Sequence, residues 1–167
     1  MRKGFLVPAL VCLSLFLPLL TQAYPLVPDP QLTPGFLCDV HDPDYAEDRY
    51  REKIPYCRRN VSSATKKDIY RVYGIPSRCT KRYTIDHFVP LSLGGDNSVQ
   101  NLWPEHRNVK ATRQNLEQKL YVQISKGQIT QDEAVDSIYQ HKLNPPRPVS
   151  GSDECDRLDP QANWDLL

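Results

Sequence analysis

The chain has 167 residues, of which 40% are hydrophobic and 25% charged, and its formal net charge is +1. That length suits one domain with enough chain for a buried core, and the balance excludes a low-complexity or uniformly polycationic protein. Fifteen prolines gather toward the two ends, which predicts extended, irregular flanks around a regular centre.

Residues 1–23 have the form of an export signal. Arg2 and Lys3 give a basic start, residues 4–20 are apolar, and Thr21, Gln22 and Ala23 end in a small residue suited to cleavage after Ala23. An uncleaved anchor is the rival reading, but the run is short for a spanning helix, and Pro8 and Pro18 interrupt it. Cys12 follows Val11 rather than a small residue, which argues against a lipid-bearing cysteine. The location implied is secreted or periplasmic, with no stable membrane association after cleavage. Four cysteines then remain: Cys38, Cys57, Cys79 and Cys155. An even count in an exported chain points to two disulfides, with three pairings open. A zinc site is disfavoured because no two of them have the C-x2-C spacing that wraps a tetrahedral ion.

Along the mature chain, residues 24–35 read as proline-rich and extended, and residues 42–53 as a short helix. Ser63 is the expected N-cap of a helix to about Tyr73, stopped by Gly74 with Pro76 beyond. Residues 82–89 read as a strand with Tyr83, Ile85 and His87 on one face. LGGDN is turn chemistry, and residues 99–103 read as a second strand closed by Pro104. A helix over about 108–126 has Val109, Leu116, Leu120 and Ile124 as its apolar stripe, with Gly127 at its C-terminal end. Thr130 and Glu133 form a capping box for a helix to about His141, with Ala134, Ile138 and Val135 inward, ended by Asn144-Pro145-Pro146. The tail beyond reads as loop, held by Cys155.

Charge is unevenly distributed. Residues 24–48 carry six acids and no Lys or Arg, whereas residues 49–82 carry eleven basic residues against Glu52 and Asp68. A basic block just before a candidate site can neutralise phosphates. The plain alternative is a solvated face balanced by the acidic segment before it.

The candidate site is YTIDHFVPLSLGGDNSVQNLW, residues 83–103. It sets Asp86 and His87 side by side at a strand end, facing a following helix, with Pro90 close enough to bend the strand. Imidazole can take a proton from water near neutral pH, and a carboxylate with carboxamide oxygens suits a hard cation. Together these groups suit phosphodiester hydrolysis. A structural Asp-His pair is the plain alternative. Asn97 reads as a turn residue, Trp103 as core, and His41, His106 and His141 as surface or capping residues.

The longer stretch IDHFVPLSLGGDNSVQNLWPEHRNVK resembles the HNH, or ββα-metal, nuclease motif in the variant with Asp before the first His. The likeness rests on D-H-x-x-P, then G-G, then N-L, with Asn101 fourteen residues after His87. NLWP and the helical LEQKLYVQISKGQIT are similar to a bacterial branch of that family. The resemblance implies an α+β, disulfide-stabilised chain with a ββα-metal core and additional helices: an N-terminal region at 24–79, the nuclease core at 80–143 and a tail at 144–167. It implies His87 as general base, Asp86 as metal ligand, and Asn101 as the residue that holds the loop and orients His87. The family's third letter, a His or Asn eight or nine residues past the middle Asn, falls on Val109 and Lys110, so Asn108 is taken as the second metal ligand, with Glu105 and His106 as fallbacks. Lys110, Arg113, Lys81 and Arg82 are the expected phosphate contacts. The implied cofactor is one divalent ion, Mg2+ first and Mn2+ or Zn2+ as alternatives. The implied substrate is DNA, with RNA as a second candidate, cut with little sequence preference. The competing expectation is a non-catalytic secreted nucleic-acid-binding protein on the same scaffold.

Overall fold

The computed structural model describes residues 24–146 and 153–159; the expected export signal lies outside them. The first strand, β1 (Tyr24–Pro25), pairs in parallel with the last, β6 (Leu158–Asp159), so the two ends of the described chain meet. The disulfide Cys79–Cys155 fixes that closure, and Cys38–Cys57 fixes the N-terminal arm, which settles the pairing the sequence left open. No helix among the described residues is long and apolar enough to cross a membrane.

Residues 42–53 are not a helix. β2 (Tyr45–Arg49) and β3 (Ile54–Cys57) form an antiparallel hairpin whose turn places Tyr50 and Lys53 at positive φ. Helix propensity is a weak prior, and here the disulfide at Cys57 and the burial of Ile54 decide for the strand. α1 (Ser63–Val72) follows, with Ser62 rather than Ser63 as N-cap, its hydroxyl accepting from the Thr65 N–H at 3.0 Å. A 3-10 turn (Ser77–Arg82) leads into β4 (Tyr83–His87), which pairs antiparallel with β5 (Leu102–His106). Residues 99–101 are a further 3-10 turn, so the second strand starts and ends three residues later than expected.

The single helix expected over 108–126 is two. α2 (Arg107–Ala111) and α3 (Leu116–Ser125) are separated by a turn in which Asn115 takes φ +67°, a conformation Asn tolerates better than most residues. α4 (Gln131–Leu143) carries the expected capping box, with Ala134 and Ile138 buried. A small apolar cluster joins Val109 of α2 to Leu26 and Val27, and two larger ones hold the other pieces. One joins Ile69 and Tyr73 of α1 to Tyr83, Ile85, Leu102 and Trp103 of the β4–β5 hairpin. The other joins Leu120 and Ile124 of α3 and Ala134 and Ile138 of α4 to Val89 and Leu93 of the loop between β4 and β5. Each fully buried large side chain contributes about 1.5–3 kcal/mol, so that loop is anchored from both sides and the residues at its mouth are held in place. The chain is thus α+β, with three small two-stranded sheets and two disulfides.

Candidate functional site

Asn101 is fully buried and ties the β4–β5 loop into its shape. Its Oδ1 accepts from the Val89 N–H at 2.8 Å, and its Nδ2 donates to the carbonyls of Val89 at 3.0 Å and Asp96 at 2.9 Å. A side chain at Gly95 would collide with the Val89 carbonyl and the Asn101 amide, so the glycine is what lets the clamp close. The clamp sets where β4 ends and therefore where Asp86 and His87 stand. It does not touch the His87 ring, and orientation of that ring falls to a residue read from sequence only as part of the turn.

That residue is Asn97. Its Oδ1 lies 3.1 Å from His87 Nε2, while its Nδ2 donates to Asp44 Oδ2 at 2.9 Å and to the Arg58 carbonyl at 2.7 Å. Two acceptors on the amide nitrogen leave only the oxygen to face the ring, so Nε2 carries the proton and Nδ1 keeps its lone pair. Nδ1 has no hydrogen-bond partner among the described residues. Burial lowers the pKa of the ring by disfavouring the imidazolium. The Arg59 and Lys142 charges act the same way, against the Asn97 bond and the Asp86 charge. The result is a neutral imidazole at physiological pH with one nitrogen unengaged.

Neighbours on a strand face opposite ways, and Asp86 turns to the other side of β4, where Thr84, Trp103 and Glu105 share its face. Its Oδ1 is 2.7 Å from Lys110 Nζ and its Oδ2 is 3.3 Å from Lys142 Nζ. Lys142 is fully buried and also donates to the His87 carbonyl at 2.6 Å, so one ammonium bridges both residues of the Asp-His pair. Burial raises the Asp86 pKa, but Lys142 and Lys110 outweigh it and hold the carboxyl well below the usual carboxylate range. Glu105, also fully buried, pairs with Arg113 and lies 3.9 Å from Lys110 Nζ. Glu117 completes the group, 3.4 Å from Lys142.

These donors do not fit a divalent ion at Asp86. Both carboxylate oxygens already face ammoniums. Asn108 is exposed and sits about 200° around α2 from Lys110, at about 100° per residue, so it does not reach the Asp86 face. The fallback Glu105 is taken by Arg113. The fallback His106 is buried in a structural role: its Nδ1 accepts the Asn108 N–H at 3.3 Å, capping α2, and its Nε2 is 3.0 Å from Asp156. Among the described residues the trio of His, Cys, Asp or Glu close enough to hold an ion is Cys79, Glu154 and Cys155, whose two sulfurs are joined as a disulfide.

The expected phosphate contacts divide. Lys81 is exposed and no ion pair engages it among the described residues, whereas Arg82 is paired with Asp153 at 3.0 Å and Asp156 at 3.8 Å. Lys110 and Arg113 belong to the Asp86 and Glu105 cluster and line an open cleft of about 780 Å³, whose wall also includes Thr84, Arg107, Gln114 and Tyr121. The cleft is on the Asp86 side of the hairpin, and His87 is not in its wall. The Arg59 charge acts on the His87 ring and Arg58 gives its carbonyl to Asn97; both residues are exposed with no ion pair among the described residues. Sequence reasoning missed Asn97, Asp44 and Lys142. The first had a signal, a second carboxamide ten residues past the histidine; the other two come from distant elements and had none. Compared with known proteins, the chain matches no family model significantly, and no curated protein or solved structure matches it significantly either.

Proposed function

We propose that this protein is an exported phosphodiester hydrolase of the HNH type, acting on nucleic acid, with DNA first and RNA second as substrate. The observation that carries the reading is the state of His87: neutral, fixed by Asn97 through Nε2, and with Nδ1 unengaged among the described residues. Such a ring can take the proton of a water as that water's oxygen attacks phosphorus. The P–O3′ bond then breaks, the 3′ oxygen leaves with the bonding pair and takes a proton from solvent, and the strand ends as a 5′-phosphate and a 3′-hydroxyl. Arg59, whose charge acts on the His87 ring, supplies positive charge to the incoming phosphate. The strand, Asn-clamped loop, strand and helix order supports the ββα reading of residues 83–111. Because the Asp86 donors are taken, no step here runs through a metal.

A second reading has its own support. His87 is only 4% exposed, which suits a scaffold that binds nucleic acid without cutting it. Incubating the purified chain with supercoiled plasmid separates the two. Nicking supports the hydrolase, and retardation on a gel with no nicking supports the binding protein.

A further inference from the structure

The resemblance assigns a divalent ion to Asp86, and the fold instead brings two ammoniums to it. Lys110 and Lys142 take one carboxylate oxygen each. Asp86, Glu105 and Glu117 face Lys110, Arg113 and Lys142 one for one; burial lowers the Lys142 pKa, but the Asp86 and Glu117 charges oppose that, and with its ammonium kept the cluster has no surplus negative charge to attract a dication. Lys142 is completely enclosed, but the Lys110 side chain is 43% exposed and forms part of the cleft wall. An ammonium has three donors, and Asp86 occupies one of those on Lys110. Behind it, Arg113 also lines the cleft; its side chain is 9% exposed, and its Nη1 is buried without any hydrogen-bond partner. Buried donors are rarely left without an acceptor, but this nitrogen is closed off from the cleft, so the donor open to an oxyanion there is the Lys110 ammonium.

We infer that the cation of the Asp86 cluster is built into the chain: Lys110, in the cleft on the side of the hairpin away from the His87 ring, receives an oxygen of a phosphate flanking the one that is cut, and no divalent ion is taken up at Asp86. The nature of the substrate rests on the hydrolase reading above; the identity of the cation rests on the geometry of the cluster alone. Lys110 occupies one of the two positions where the resemblance looked for a His or Asn, and a lysine there cannot act as that ligand while its ammonium is bound to Asp86. It holds a positive charge at a fixed point in the cleft, where it grips the strand beside the phosphate that is cut.

The test uses the full chain stripped with a chelator. Mn2+ is titrated while its free electron-paramagnetic-resonance signal is followed, and plasmid nicking is measured in EDTA. The expected result is that added Mn2+ stays free, nicking is unchanged by EDTA, and Lys110→Met, checked for folding by circular dichroism, nicks at least tenfold more slowly. Uptake of one equivalent of Mn2+, with paramagnetic broadening of the His87 ring protons, overturns the inference. So does nicking that stops in EDTA and returns with Mg2+. If the wild-type chain never nicks, the hydrolase reading fails, while the Mn2+ titration still decides which cation belongs to Asp86.

Discussion

Asn97 presents its amide oxygen to His87 Nε2 at 3.1 Å because its amide nitrogen is committed to Asp44 and to the Arg58 carbonyl. A residue in a turn therefore decides which nitrogen of the His87 ring is basic. Asp44 precedes β2 and Arg58 follows β3, so the decision is made by the disulfide-tied N-terminal hairpin rather than by the strand that carries the histidine.

Asn97→Asp is expected to raise the His87 pKa, because a carboxylate next to the ring favours the imidazolium. The acid limb of the pH–rate profile should then move upward by about one unit, each unit being about 1.36 kcal/mol. An NMR titration of the ring measures the shift directly, and an unchanged His87 pKa would show that Asn97 does not govern the ring.

The Asp86–Lys142 pair should be costly to break from one side. Asp86→Asn leaves a fully buried ammonium short of its partner, a change expected to lower stability by about 3–5 kcal/mol. Adding Lys142→Met to that variant should recover much of the loss, since an apolar chain fills the same space without a charge to compensate. Urea denaturation of the two variants measures the difference.

Stability should fall on the acid side below about pH 6.5. Burial lowers the pKa of both His87 and His106, so the unfolded chain, with histidines near the ordinary value of about 6.5, binds protons that the folded chain refuses. That contribution is complete above about pH 6.5 and is lost as pH falls toward the lowered values. Asp86 adds a second loss at lower pH: its depressed pKa stabilises the fold above the ordinary carboxylate value and stops doing so as pH drops below it. Thermal melts between pH 3 and 8 should show a plateau above neutrality and a decline in those two steps.

Opening Cys38–Cys57 should impair the site more than the core. The bridge ends one residue before Arg58, whose carbonyl holds Asn97, and it closes the arm that carries Asp44. A paired Cys38→Ser and Cys57→Ser change should cost about 2–4 kcal/mol and leave the cluster around Trp103 in place. It should release the His87 ring, seen as a mixture of tautomers by nitrogen NMR.

The sequence made the hairpin legible because local chemistry specifies it. Asp86, His87, Pro90, Gly94-Gly95 and Asn101 lie within sixteen residues, and the clamp uses only its own loop. The Thr130–Glu133 capping box was legible for the same reason. What was not legible depends on contacts across the chain. Lys142 reaches Asp86 from α4 and Asp44 reaches Asn97 from beside β2, separations of 56 and 53 residues that no spacing rule anticipates. Residues 42–53 suit either period because charged residues lie between tyrosines, and it is pairing with β3, tied by Cys38–Cys57, that makes them strand and turn. The Asn115 break hid inside an apparent apolar stripe whose halves pack apart, Val109 against Leu26 and Val27, and Leu116, Leu120 and Ile124 against Val89 and Leu93.

The proposed base is the unengaged nitrogen of His87. The initial rate of plasmid nicking by wild type and by His87→Ala, with folding confirmed by circular dichroism, tests it. The variant should retain its fold and lose the roughly 10²–10⁴-fold that a positioned general base contributes. A variant that nicks at the wild-type rate would contradict it.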